Sequence, residues 1–193
     1  MALLHSYSVD LTWTGAGSAG TSTYTSYGRD HELSAGAKPV LAGTSDPGFR
    51  GDPDRWSPED LLVGSLSQCH MLWFLHLAAT AGVVVTGYSD SASGTMRIEA
   101  AGHGRFTEVV LHPRVTVRDA ALADGTPVDD ELLAGLHRAA HEHCFIARSV
   151  NFTVRHEPAP VHVAGTASGT PARTATGNVT AATERPAPAA HAG

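Results

Sequence analysis

Residues 57–82 constrain this chain most, because they form a long helix with no wet face along its second half. Ser57 supplies an N-cap oxygen, Pro58 sits at the first helical position where its missing N–H costs nothing, and Gly82 supplies a stop. Between them Leu61, Leu62, Leu66, Cys69, Leu72, Trp73, Leu75, Leu77 and Ala78 leave little polar surface. About 24 residues make a rod of roughly 36 Å, so the rest of the fold has to be built round it. Its longest mainly apolar stretch, residues 71–79, includes His76 and is short of the roughly 20 residues a membrane span needs, so no membrane is expected.

Short strands are expected on either side. Residues 6–14 alternate apolar and polar, meet a glycine-rich turn at 15–20, and are followed by 21–27, which predicts a hairpin. Residues 83–86, 95–99, 106–111 and 114–118 read as strands of a meander. Asp129, Asp130 and Glu131 open a second helix striped by Leu132, Leu133, Leu136, Ala139 and Ala140, with Cys144 near its end, and 150–155 closes the domain as a strand. Strands grouped before and after two helices, without strict alternation, give an α+β fold. From Pro158 onward Ala, Thr, Gly and Pro dominate and cannot offset the entropy of ordering. The expected division is a folded domain at 1–157 and a disordered tail at 158–193.

With 13 Lys and Arg against 19 Asp and Glu, the chain carries a net charge of −6 and no basic stripe, which excludes nucleic acid as a partner. The first residues lack the basic start and apolar run of a secretion signal, so a cytoplasmic location is expected. In that reducing compartment the two cysteines are not a structural disulfide, which leaves catalysis, redox sensing, metal ligation or burial. Cys69 lies mid-helix, where the dipole gives its thiolate little help, so it needs a cation from elsewhere. Cys144 lies toward a helix C-terminus, where partial negative charge opposes a thiolate, and that suits a resolving thiol. Peroxide chemistry fits such a pair: the first thiolate becomes a sulfenic acid and the second thiol condenses with it. His137 and His141, four apart, with His143, Cys144 and the neighbours Cys69 and His70, offer metal-binding types without a standard zinc spacing.

The segment Ser57-Pro-Glu-Asp-Leu-Leu-Val-Gly-Ser-Leu-Ser-Gln-Cys69-His-Met-Leu resembles the central helix of the OsmC/Ohr family of organic hydroperoxide reductases, in which a reactive cysteine follows a Pro-Glu pair by ten positions. His141-Glu-His-Cys144 before a closing strand is similar to the family's second cysteine segment. The resemblance spans most of residues 5–157. It implies antiparallel sheets packed round a long central helix in an intertwined homodimer. It also implies that Cys69 attacks an alkyl or fatty-acyl hydroperoxide, that Cys144 resolves it, that an external dithiol restores both, and that no cofactor is needed. An arginine paired with Glu59 would stabilise the thiolate. The OsmC branch places that arginine at Arg50, the one expected to serve here; the Ohr branch takes it from a Gly-Arg-Asp turn, here Gly28-Arg29-Asp30, which is expected to follow the second strand and leaves Arg29 a substrate-binding candidate. Arg55 is a third candidate. Met71, Trp73 and Phe74 are expected to line an apolar substrate pocket. Ten helical residues separate Glu59 from Cys69 by roughly 15 Å, so if both serve one site Glu59 comes from a second subunit. Phe145 stands where family members commonly have proline. The rival readings are a non-catalytic stress-associated or ligand-binding dimer of the same fold, and a His/Cys metal-binding protein.

Overall fold

The computed structural model describes residues 3–99 and 102–165. Its longest element is helix α1 (Pro58–Thr80), whose ends follow the local chemistry of the sequence. Ser57 Oγ accepts the Asp60 N–H at 3.1 Å while the Asp60 carboxylate accepts the Ser57 N–H at 3.0 Å, a reciprocal capping box. At the far end Gly82 takes φ +78°, a left-handed turn that lets the Gly82 and Val83 N–H groups donate back to Ala79 and Ala78.

Among the described residues the strands form three three-stranded sheets. Strands β1 (Asp10–Trp13), β2 (His31–Ser34) and β3 (Leu41–Gly43) make an antiparallel sheet. Strands β4 (Val85–Asp90), β5 (Ser93–Ile98), β6 (Gly104–Leu111) and β7 (Pro113–Val117) make one long bent ribbon, in which β5 pairs with β6 and β4 with β7. After helix α2 (Asp130–His143), β8 (Thr153–His156) adds parallel to β6 and β9 (His162–Val163) parallel to β7.

The bend in the ribbon is fastened to the middle of α1 by one carboxylate. Asp90 accepts the His112 N–H on Oδ1 and the Ser67 hydroxyl on Oδ2, both at 2.6 Å. Close beside it, a Cβ on Gly94 would lie 2.7 Å from Val63 Cγ2, so only glycine lets β5 come this near the helix. Two cores follow. Leu66, Val109 and Leu111 pack the first half of α1 onto β6, with Phe106, Phe152 and Val154 alongside. Phe74, Ala78, Val83, Val115, Val117, Val128, Leu133 and Ala140 join its second half to α2 and β7. The buried residues of α1 are Leu66, His70, Phe74 and Ala78, a single stripe four residues apart. Leu72, on another face, is 61% exposed.

Three expectations change. The partner of β1 is residues 31–34, not 21–27: hydrogen bonds from Thr14 N–H to Asp30 O and from Gly28 N–H to Gly15 O carry the ladder to the two glycines. Residues 16–27 are the connecting turn, held by the Ser26 hydroxyl on Gly20 O at 2.7 Å. Gly28-Arg29-Asp30 therefore joins the first two strands instead of following the second. The four central strands are not a simple meander, because β8 and β9 return to them in parallel after α2. Finally, Ala159 and Ala164 donate to Pro113 O and Val117 O, and Val161 and Val163 pack on the larger core, so ordered chain continues past 157. The expected tail from residue 166 lies outside the described residues.

Removing the Asp90 carboxylate strands both donors at the bend. Hydrogen bonds to charged groups contribute about 1.5–3 kcal/mol each, so Asp90→Ala is expected to lose about 3 kcal/mol or more in urea unfolding. A loss below about 1 kcal/mol would mean that packing alone holds the bend.

Candidate active site

The two cysteines meet where α1 and α2 cross. Cys69 is half-buried on α1 and Cys144 is fully buried as the C-cap of α2, with the two thiols near enough to interact. α2 ends on Cys144 because its backbone turns extended, at φ −64° and ψ 109°. The Ala147 N–H donates to Cys144 Sγ at 3.4 Å and the Arg148 N–H to Cys144 O at 3.1 Å, which fixes the turn. Burial pushes the Cys144 thiol up to about 11, and the adjoining Cys69 adds to that, while the Ala147 N–H works against it. Cys144 is therefore held protonated at neutral pH, and Cys69 is the sulfur with access to solvent.

Glu59 stands in the first turn of α1, roughly 15 Å from Cys69 along the axis. With Ser57, Asp60, Val63, Ser67 and Asp90 it lines a cavity of about 620 Å³, and its Oε2 is buried without a hydrogen-bond partner among the described residues. Asp46 lines the same cavity and caps the turn that carries Arg50, accepting the Gly48 N–H at 2.7 Å. Arg50 ends that turn with φ +70° and is exposed. Arg29 is occupied: its guanidinium lies over the rings of Tyr24 and Tyr27, at 4.5 and 4.1 Å, and donates to both their carbonyls. Arg55 reaches Asp30 and Asp52 at 3.8 and 3.6 Å. The expected residues thus fall into two groups within one chain: the thiols, and Glu59 with the Arg50 turn.

The apolar residues divide as well. Phe74 is fully buried with its ring stacked on His137 at 4.2 Å, so it belongs to the core and not to a substrate pocket. Met71 is half-buried. Trp73 is half-buried and packs on His143 and Phe145, the residues either side of Cys144 in sequence.

Sequence reasoning missed a buried histidine pair. His70 Nε2 and His137 Nδ1 lie 3.0 Å apart, with ring planes within 2° and centroids 5.3 Å apart. The centroid separation exceeds the N–N distance by about one ring width, so the rings meet edge to edge along one hydrogen bond, not face to face. Whichever ring donates, His70 Nδ1 and His137 Nε2 remain buried without a partner among the described residues. The rings of His156 and then His141 continue the row outward, 5.4 Å from His70 and 5.7 Å from each other. The clue in the sequence was His137 and His141 on one face of α2, which had suggested a metal. Among the described residues no three His, Cys, Asp or Glu side chains gather as a metal would require, and His137 is turned to His70.

The family model for OsmC-like proteins matches residues 51–158. An OsmC-like protein of unknown function from Vibrio cholerae has a similar structure, with TM-score 0.71 and 29% identity over 81% of this chain and 100% of the other. An organic hydroperoxide resistance protein from Elizabethkingia anophelis, crystallised with thiocyanate, has TM-score 0.59 and 16% identity over 84% and 99%. The organic hydroperoxide resistance protein OsmC from Legionella pneumophila has TM-score 0.57 and 15% identity over 84% and 100%. Among curated proteins none matches.

Burial, first, and the neighbouring imidazoles hold His70 down to about 3, and His137, beside His156, down to about 4. An unfolded chain takes up these protons below about pH 6.5, which the folded protein refuses until far lower. Their stabilising contribution is thus complete above pH 6.5 and is lost as pH falls toward 4, by up to about 1.4 kcal/mol per unit for each histidine. Urea midpoints measured from pH 7 to pH 4 are expected to fall accordingly, and His137→Leu to flatten the slope; an unchanged slope in that variant would contradict the assignment.

Proposed function

The chain belongs to the family of OsmC-like proteins, and from that premise we propose that it is a cysteine peroxidase that reduces organic hydroperoxides, alkyl or fatty-acyl, to alcohols. The contact between a half-exposed Cys69 and a buried, protonated Cys144 carries this reading. The Cys69 thiolate attacks the terminal oxygen of ROOH; the S–O bond forms as the O–O bond breaks, and the leaving alkoxide takes a proton to become ROH. Cys144 then attacks the Cys69 sulfenic sulfur, the S–O bond breaks, and its thiol proton leaves with the hydroxide as water. Two thiols have been oxidised to a disulfide and one peroxide bond reduced. An external dithiol returns the enzyme to its starting state by exchange. The cycle calls on no cofactor and suits a reducing cytoplasm.

Cys144 is well made for the second step. Held protonated near Cys69, it neither competes for peroxide nor repels the first thiolate, and burial keeps it within reach. The first step needs a cation, and we assign it to Arg50, oriented by Glu59 of a second copy. Three observations support a homodimer. α1 is apolar on most of its circumference, yet one chain buries only the stripe of Leu66, His70, Phe74 and Ala78. Leu11 and Trp13 on β1 are 63% and 42% exposed, an uncovered sheet face. Glu59 Oε2 is buried and unpartnered beside the Arg50 turn, far along the helix from its own Cys69. An antiparallel approach of two α1 helices would bring each Glu59 toward the other chain's thiols.

Cumene hydroperoxide is expected to consume both thiols of the wild type and none in Cys69→Ser, while Cys144→Ser leaves a Cys69 sulfenic acid that dimedone traps. Thiols that survive excess peroxide would instead favour a non-catalytic dimer of this fold. The shared site has its own test. Cys69→Ser and Glu59→Gln homodimers are each expected to be inactive or nearly so, and a refolded mixture to regain activity in the heterodimers, where one site has both native groups. No recovery on mixing would place Glu59 outside a shared site.

A further inference from the structure

We propose that Trp73 and Phe145 make this site selective for hydroperoxides that carry an aromatic ring next to the peroxide-bearing carbon. The inference rests on the peroxidase reading and narrows its substrate class. Trp73 follows Cys69 by four residues on α1, so both lie on one face, and helical side chains lean toward the N-terminus, which carries the indole back over the Cys69 turn. From the other helix, His143 and Phe145 flank Cys144 in sequence, and their rings pack on Trp73 with centroids 5.0 and 5.5 Å away. Since Cys69 lies near enough to Cys144 to interact with it, the two sulfurs and three rings share one region at the end of α2.

The backbone holds Phe145 there and keeps it out of the core. The Arg148 N–H on Cys144 O, the Ser149 N–H on Ile146 O and the Ser149 hydroxyl on Phe145 O at 2.8 Å fix the turn after Cys144. From that turn Ile146, Ala147 and Val150 pack inward on the smaller core, while Phe145 remains 66% exposed. A ring so displayed contributes little to the fold, but it stands at 87° to the Trp73 indole and offers an aromatic corner beside the thiols. A flat aryl group can lie on one ring of such a corner and meet the other edge-on, an arrangement that rings favour beyond the area they bury. A compact aliphatic group has no such geometry to satisfy, and hydrogen peroxide has no carbon to bury.

The test compares cumene hydroperoxide with tert-butyl hydroperoxide, which has the same tertiary peroxide carbon without the ring. The rate of Cys69 oxidation by each is measured on the full chain under pseudo-first-order conditions. We expect the wild type to favour cumene hydroperoxide by about tenfold after each rate is divided by that of a free small thiol with the same peroxide. Phe145→Ala, a change at an exposed position, should bring the ratio to about threefold or less, and Phe145→Tyr, which keeps the ring, should preserve it. A wild-type ratio near one, or an undiminished ratio in Phe145→Ala, overturns the selectivity while leaving a peroxidase. Failure of both peroxides to oxidise Cys69 overturns the peroxidase reading, and this inference falls with it.

Discussion

A helix that is apolar on most of its circumference has to be covered on most of its circumference, and α1 places that demand on every other element. The β4–β7 ribbon bends around it, fixed at the bend by Asp90 on Ser67, and α2 closes against its second half. By length and composition α1 would also suffice to cross a bilayer, but here it packs against α2, β4 and β5. Along the seam with α2 the core is not purely apolar. His70 and His137 are fully buried there, and their mutual hydrogen bond meets only half of their polar requirement. The seam that joins the thiols is thus weakened by acid at the same place where it is most buried.

The rise of one α-helix divides the candidate site. Ten residues of α1 separate Glu59 from Cys69, and no side-chain rotamer closes roughly 15 Å. The thiols are complete within one chain because α2 delivers Cys144 to Cys69 across the helix seam. Glu59 stands toward the opposite end of α1, in a cavity also lined by Asp46, the residue that caps the turn ending at Arg50. A chain organised in this way fits a site assembled from two copies, and the uncovered faces of α1 and β1 are apolar where such a copy would lie.

Much of this was legible in the residues. Both helices lie where the Ser57-Pro58 and Asp129 caps and the apolar periodicity put them, and the α+β grouping follows from the order of strands and helices. Strands were legible as strands, but not their partners. Alternation marks a half-buried strand without saying which edge it meets, so β1 paired past the expected second strand to 31–34, and β8 and β9 returned in parallel. Phe74 and Trp73 look alike in sequence, yet a rotation of 100° per residue sends one into the core against His137 and leaves the other against His143 and Phe145.

What the sequence determined alone is local: where helices begin and end, which residues have one apolar face, and that two cysteines share a chain with a Pro-Glu pair ten residues before the first. Caps, turns and periodicity act over a few residues and are written there. Only the tertiary structure decided that Cys144 comes near Cys69 across 75 positions, that burial keeps its thiol protonated, that His70 and His137 bond to each other, and that Phe145 stands outside the core. Each of these depends on how far a group is removed from water and on what another element brings beside it, and both are properties of the packed chain.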